Sequence, residues 1–184
     1  MPARDRDQGN CVTPSSGRAA APPLAPLSLA GDGGDDTLRG DEGENTLVGL
    51  GGDDRLIGRG GEDYLRAGAG DDKLLAGDHE DLLHGFGGSD TAVGGVGDDD
   101  ILSGRGDDVA RGGKGADQLF DDEGRDKLIG GPGNDGFSAH DRYRDVIRCG
   151  GGGDIALIDR FDVADGCEYA YRSRHEAPEN LPEI

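Results

Sequence analysis

The sequence predicts an all-β solenoid built of stacked nine-residue units, and three observations predict it. A nine-residue register runs through twelve units from Gly31 to Ser138 without an insertion. The fourth place is Gly in every unit but one, where His79 stands, and the sixth is Asp in every unit but one, where Asn45 stands. The eighth place is Leu, Ile or Phe in ten units, with Ala92 and Ala110 in the other two. Self-similarity at a fixed short period marks an array in which each unit buries its apolar face only against its neighbours.

Residues 1–30 differ in composition from the rest of the chain and are expected to form a Pro/Ala-rich flexible leader. They carry five of the eight prolines, and AAAPPLAPLSLA (19–30) is too rich in proline for a signal-peptide apolar region. Cys11 falls in this stretch and has no assigned role. The repeats come next, from GDGGDDTLR (31–39) through GRGGEDYLR (58–66) and SGRGDDVAR (103–111) to GGPGNDGFS (130–138). Places one to six are expected to turn, since Gly supplies positive φ without steric cost. The last three places, with an inward apolar eighth residue, suffice for a short strand that must stack to bury anything. After one inserted residue at Ala139 the register resumes, with Asp145 and Asp154 at sixth places and Ile147 and Ala156 at eighth. Residues 139–172 are therefore expected to add one more degenerate coil and a cap, and 173–184 a flexible tail.

Composition sets further limits. Thirty-seven of 184 residues are Gly, only 33% are hydrophobic, and the net charge is -20. Nucleic acid and anionic membrane surfaces are excluded as default partners, because both require basic charge. No run of about eighteen apolar residues exists to insert in a membrane. Ten large apolar side chains at the eighth place (Leu38, Leu47, Leu56, Leu65, Leu74, Leu83, Ile101, Leu119, Leu128 and Phe137) are a small core for this length. The repeats also concentrate 27 acidic against 10 basic residues, 17 of the 20 net negative charges. Burial alone is a weak counterweight to that repulsion, so the pattern calls for a bound cation. Asp carboxylates and turn carbonyls offer only oxygen, which suits Ca²⁺ better than Mg²⁺ or zinc.

The pattern resembles the nonapeptide G-G-x-G-x-D-x-U-x of the RTX, or haemolysin-type, calcium-binding repeat family. It departs at the first two places, where Leu50, Arg59, Phe86, Asp121 and Asp122 replace Gly. The resemblance implies a right-handed parallel β-roll with two units per coil, hence six coils over 31–138. It also implies a secreted or extracellular protein, and Ca²⁺ held in two columns of turns. Odd units would contribute Asp36, Asp54, Asp72, Asp90, Asp108 and Asp126, with carbonyls near Gly34, Gly52, Gly70, Gly88 and Gly106. Even units would contribute Asn45, Asp63, Asp81, Asp99, Asp117 and Asp135. Stacking twelve units two to a coil leaves up to about ten sandwiched positions for ions. His79 and Asn45 both fall on the even side, so the odd column is expected to bind more tightly.

Cys149 and Cys167 bracket the degenerate end, which is similar to the Cys-bounded ends of secreted bacterial repeat proteins. That similarity implies a disulfide; two free thiols in a reducing compartment stay the alternative at this point. Fragments with a catalytic look lack their contexts. HEDLLH (79–84) spaces its histidines five apart rather than four, and GFSAH (136–140) lacks the last Gly of G-x-S-x-G. The expected function is calcium binding by a non-catalytic structural module rather than an enzyme. Two alternatives come from other classes. One is a fragment or accessory of a secreted hydrolase or toxin, although the residues before the repeats are too few for a catalytic domain. The other is a surface adhesion module presenting the ninth-place stripe Ile57, Leu75, Val93 and Ile129.

Overall fold

A computed structural model describes residues 26–172. The expected tail, most of the leader and Cys11 lie outside the described residues. The chain winds as a parallel β-solenoid of about eight turns with no helix among the described residues. Strands alternate between two sheets. One sheet contains β1 (Leu27–Ala30), β3 (Asn45–Gly51), β5 (Tyr64–Ala69), β7 (Leu82–Gly87), β9 (Asp100–Arg105), β11 (Gln118–Phe120), β13 (Gly136–Ala139), β15 (Ile155–Ile158) and β17 (Tyr169–Tyr171), in that order. The other contains β2 (Thr37–Arg39), β4 (Arg55–Gly60), β6 (Lys73–Asp78), β8 (Thr91–Val96), β10 (Val109–Lys114), β12 (Lys127–Pro132), β14 (Val146–Gly151) and β16 (Val163–Asp165).

Register follows the sequence period. Leu47 pairs with Leu65 and Leu65 with Leu83, so eighth places stack upon eighth places two units apart. Leu47, Leu56, Leu65, Leu74, Leu83, Ile101, Leu119 and Leu128 are fully buried between the sheets. Leu38, in the first repeat, is only partly buried against that core.

Three features differ from the sequence expectation. Most interior strands have six residues rather than three, because each runs from places seven to nine into places one to three of the next unit. Pairing continues through that junction, as in Leu50 with Gly68. The array also begins earlier: β1 lies within the stretch expected as leader and pairs with β3, placing Leu29 beside Leu47. At the other end β14 to β17 extend the winding past a single added coil.

Glycine has two separate uses in the unit. Positive φ occurs at the second and fourth places, for example at Gly77 (136°) and Gly88 (127°). Leu50 (87°), Arg59 (100°), His79 (87°) and Phe86 (78°) take the same left-handed conformation without being Gly. First-place glycines need space instead. A Cβ on Gly49 would lie 2.7 Å from the Ala67 carbonyl oxygen and would collide with Oδ2 of Asp54.

A disulfide joins Cys149 to Cys167, with Cα atoms 5.0 Å apart. Cys149 is fully buried on β14, and Cys167 follows β16 and packs against the core. The bond therefore ties together the last two strands of the eight-stranded sheet. The ninth-place stripe is half-buried on that sheet and broken, since Arg111 sits between Val93 and Ile129.

Candidate metal centre

Two columns of inward carboxylates run along the roll, one on each flank of the core. The sixth-place side chains from Asp54 to Asp135 are nearly inaccessible, at 4% exposure or less. Each uses Oδ1 to accept the backbone N–H of the sixth-place residue one coil earlier. On the odd flank Asp36, Asp54, Asp72, Asp90 and Asp108 donate in turn to Asp54, Asp72, Asp90, Asp108 and Asp126, at 2.6–2.8 Å. On the even flank Asn45, Asp63, Asp81, Asp99 and Asp117 donate to Asp63, Asp81, Asp99, Asp117 and Asp135, at 2.8–3.0 Å. Side chain and main chain therefore stack together, and the turn carboxylate has a structural role within the folded roll.

The second oxygen has no such partner. Oδ2 is buried without a hydrogen bond in Asp54, Asp63, Asp72, Asp81, Asp90, Asp99, Asp108, Asp117, Asp126, Asp135, Asp145 and Asp154. Burying an ionised oxygen unpaired is costly, so a repeated column of them calls for a common counter-charge. Protein cations do not supply it. Among the described residues the ion pairs are two contacts of Arg105, with Asp122 and Glu123, each 3.8 Å and on the surface.

Burial accordingly pushes these carboxyls upward. Asp63, Asp72 and Asp135 rise to about 6, and Asp81, Asp90, Asp99 and Asp126 to about 7. Desolvation is the largest cause in each. The neighbouring backbone donor opposes it, and acidic residues in adjacent turns add to it in most of them. Asp54, Asp108 and Asp117 shift the same way for the same leading reason.

The unpartnered oxygen points into a space bounded by the first-place residue. The position a Cβ would take on Gly58 lies against Asp63 Oδ2 and 2.8 Å from the carbonyl of Ala76, one coil on. Gly130 repeats this with Asp135 Oδ2 and the Cys149 carbonyl at 2.6 Å. An orphaned carboxylate oxygen and a main-chain carbonyl thus crowd the position that Gly leaves without a Cβ, an all-oxygen cradle. Such donors fit Ca²⁺, which accepts carboxylate and carbonyl oxygens in flexible numbers. When bound, the ion would supply positive charge to both rows of oxygens and so link one coil to the next. The chain's own part is to fix the donors: Oδ1 holds the carboxylate against the preceding amide, leaving Oδ2 to face the cradle.

The first turn on each flank departs from this arrangement. Asp36 Oδ2 accepts the N–H of Asp32 at 2.8 Å, and Asn45 Oδ1 accepts the N–H of Asp41 at 2.9 Å. Asn45 Nδ2 also donates to the Gly43 carbonyl. Local amides thus occupy the atoms that face the cradle in later turns. Gly34, Gly52, Gly70, Gly88 and Gly106 stack as fourth places; an added Cβ on Gly88 would strike the Gly70 carbonyl, and one on Gly106 that of Gly88. His79 occupies its fourth place with a left-handed backbone and accepts the Gly61 N–H on Nδ1 at 3.2 Å. His84, the other histidine of HEDLLH, lies on β7 and stacks on Phe86 at 3.5 Å.

The fifth place was not singled out in the sequence, yet it forms an outer ladder. Asp35, Asp53 and Asp71 accept the N–H groups of Asp53, Asp71 and Ser89 at 2.7–2.9 Å. The signal was present as a second acidic residue before the sixth place, Asp on the odd side and Glu at residues 44, 62 and 80 on the even side. Asp121 was also missed as a ligand candidate, having counted only as a lost glycine.

Stacked turns with a buried carboxylate oxygen facing a carbonyl define a calcium-binding β-solenoid module. Compared with known families, residues 30–137 match the RTX calcium-binding nonapeptide repeat in overlapping blocks from 30–65 to 102–137. The chain belongs to that family. Among individually curated proteins, none matches it.

Proposed function

We propose that this chain is a secreted structural module that folds as it takes up extracellular Ca²⁺, with no catalytic role of its own. The observation that carries the reading is the column of buried Oδ2 atoms, from Asp54 to Asp154, that nothing among the described residues pairs. Loading would fill the cradles bounded by Asp54, Asp72, Asp90, Asp108 and Asp126 on one flank and Asp63, Asp81, Asp99, Asp117 and Asp135 on the other. Up to about ten ions is the corresponding proposal, with the Asp36 and Asn45 turns contributing least because local amides already occupy them. Without cations those oxygens destabilise the fold, so binding and folding are coupled. Export is supported by the Cys149–Cys167 bond, since structural disulfides persist in oxidising compartments.

Circular dichroism of the metal-free chain, followed by Ca²⁺ addition to millimolar levels, tests the reading. The expected result is a disordered spectrum converting to a β spectrum. A β spectrum that persists unchanged in excess chelator at neutral pH would overturn it.

A further inference from the structure

The first place of the unit borders the sixth-place carboxylate, and from Gly31 to Gly130 it is Gly, Ala or Ser with one exception, Asp121. Its neighbours accommodate it. Strand β11 stops at Phe120, directly before Asp121, where most strands continue for three more residues. The Asp121 carboxylate lies inside the turn, and neither of its oxygens has a hydrogen-bond partner.

Two further carboxylates meet it there. Asp126 and Asp145 are sixth-place residues of successive coils on the odd flank, 2% and 0% exposed, joined by the Asp126 N–H to Asp145 Oδ1 at 2.8 Å. Each keeps a buried Oδ2 without a partner. One ligand oxygen from each of Asp121, Asp126 and Asp145 lies within 4.8 Å of the others. The adjoining Asp141 is committed elsewhere, with Oδ2 accepting from Gly124 and Oδ1 from Tyr143. Arg105, the basic side chain paired nearby, faces Asp122 and Glu123 on the surface.

We propose that Asp121, Asp126 and Asp145 form a three-carboxylate calcium site, the tightest in the roll and unlike the repeated turns. The inference rests on the calcium reading above and adds which turn binds first and through which side chain. The other turns join sixth-place carboxylates to neutral carbonyls. Here a third carboxylate is added, and affinity in oxygen cages rises with ligand charge. A side chain that only filled the cradle would leave four buried carboxylate oxygens with neither donor nor cation, the arrangement a protein interior tolerates least.

Calorimetric titration of the full, metal-free chain with Ca²⁺ alone tests the site, using Asp121→Gly, which restores the residue usual at this place, and Asp121→Asn. The wild type should show one step about tenfold or more tighter than the rest. Both variants should lose that step, keep the remaining sites and reach the wild-type β spectrum at saturating calcium. A titration unchanged or tightened in both variants would overturn the site, as would a wild type whose sites are all equivalent. If Asp121→Gly fails to reach the folded spectrum, Asp121→Asn, which keeps the side-chain shape, decides alone. A wild-type chain that takes up no calcium would overturn the general reading together with this one.

Discussion

Asp72 donates its backbone N–H to Oδ1 of Asp90 one coil further on, at 2.8 Å, while its own Oδ1 takes the N–H of Asp54 at 2.6 Å. One side chain thus serves the coil before it through Oδ1 and leaves Oδ2 free for the proposed calcium cradle.

Replacing Asp72 by Ala should therefore strand the buried Asp54 amide, costing about 1–3 kcal/mol, and remove a cradle oxygen as well. Asp81→Ala breaks the corresponding bond from Asp63, 2.8 Å long, in a turn where His79 already holds a left-handed backbone. The calcium midpoint of folding should rise more for Asp72→Ala than for Asp81→Ala. An equal or larger rise for Asp81→Ala would show that the odd flank does not bind more tightly.

The raised carboxyls set an unusual response to acid. Asp72 holds its proton to about pH 6 and Asp90 to about pH 7 in the folded chain, against an ordinary value of 3.8. The folded state then binds more protons than the unfolded state, so the metal-free roll gains stability as pH falls from 7 towards 4 and loses it as pH rises through 7. In calcium-free buffer, β structure should increase between about pH 7.5 and pH 5, the reverse of ordinary acid denaturation. Protons compete for the same oxygens, so the calcium midpoint should also be higher at the lower pH. A metal-free chain whose β content falls steadily on acidification would contradict both statements.

Leu50 is 57% exposed at φ 87°, in a place where half of the twelve units have Gly. Left-handed backbone costs a non-glycine residue about 1–2 kcal/mol, partly offset by the extra unfolded-state freedom that Gly brings. Leu50→Gly should stabilise the loaded roll by roughly 0.5–1 kcal/mol, read as a higher thermal midpoint. A lower midpoint would mean that the Leu50 side chain contributes more than its backbone costs.

Reduction of Cys149–Cys167 should loosen one end of the molecule. Closing this 18-residue separation is worth about 3 kcal/mol by loop entropy. Each coil contacts only its neighbours, so the loss should stay local. Hydrogen exchange of the calcium-loaded chain should quicken over β14 to β17 on reduction and remain unchanged over β5 to β10. Uniform acceleration along the roll would show that the coils unfold as one unit.

The alternation of strands, the apolar column and the carboxylate column were legible because each depends on one residue type recurring at one place. Leu56, Leu74 and Asp54 could be placed in register by counting alone. The strand length was not legible, because it depends on whether pairing survives the left-handed second place, as at Leu50 opposite Gly68. β1 was hidden because its unit lacks the sixth-place Asp; its trace was Leu29, nine residues ahead of Leu38. The first-place glycines were attributed to backbone freedom when they provide room, a distinction that needs the Asp54 carboxylate in three dimensions. For the same reason Asp121 registered as a defect until Asp126 and Asp145 were beside it.

The carboxylate ladder also shows how the winding handles miscounting. Partners lie 18 residues apart until the His140 region, where Asp126 meets Asp145 after 19, and Asp145 then meets Asp162 after 17. One surplus residue is accommodated in a turn and one missing residue in the next, while Ile147 still finds Leu128 on one side and Ala164 on the other. Single-residue errors are thus erased at the surface, but a whole nonapeptide is not such an error. Adding or removing one would send every later turn to the opposite flank, carrying the Asp121 cluster across with it relative to the N-terminal coils. The molecule has a parity: its length can change by pairs of units without trace, and by a single unit only by exchanging left for right.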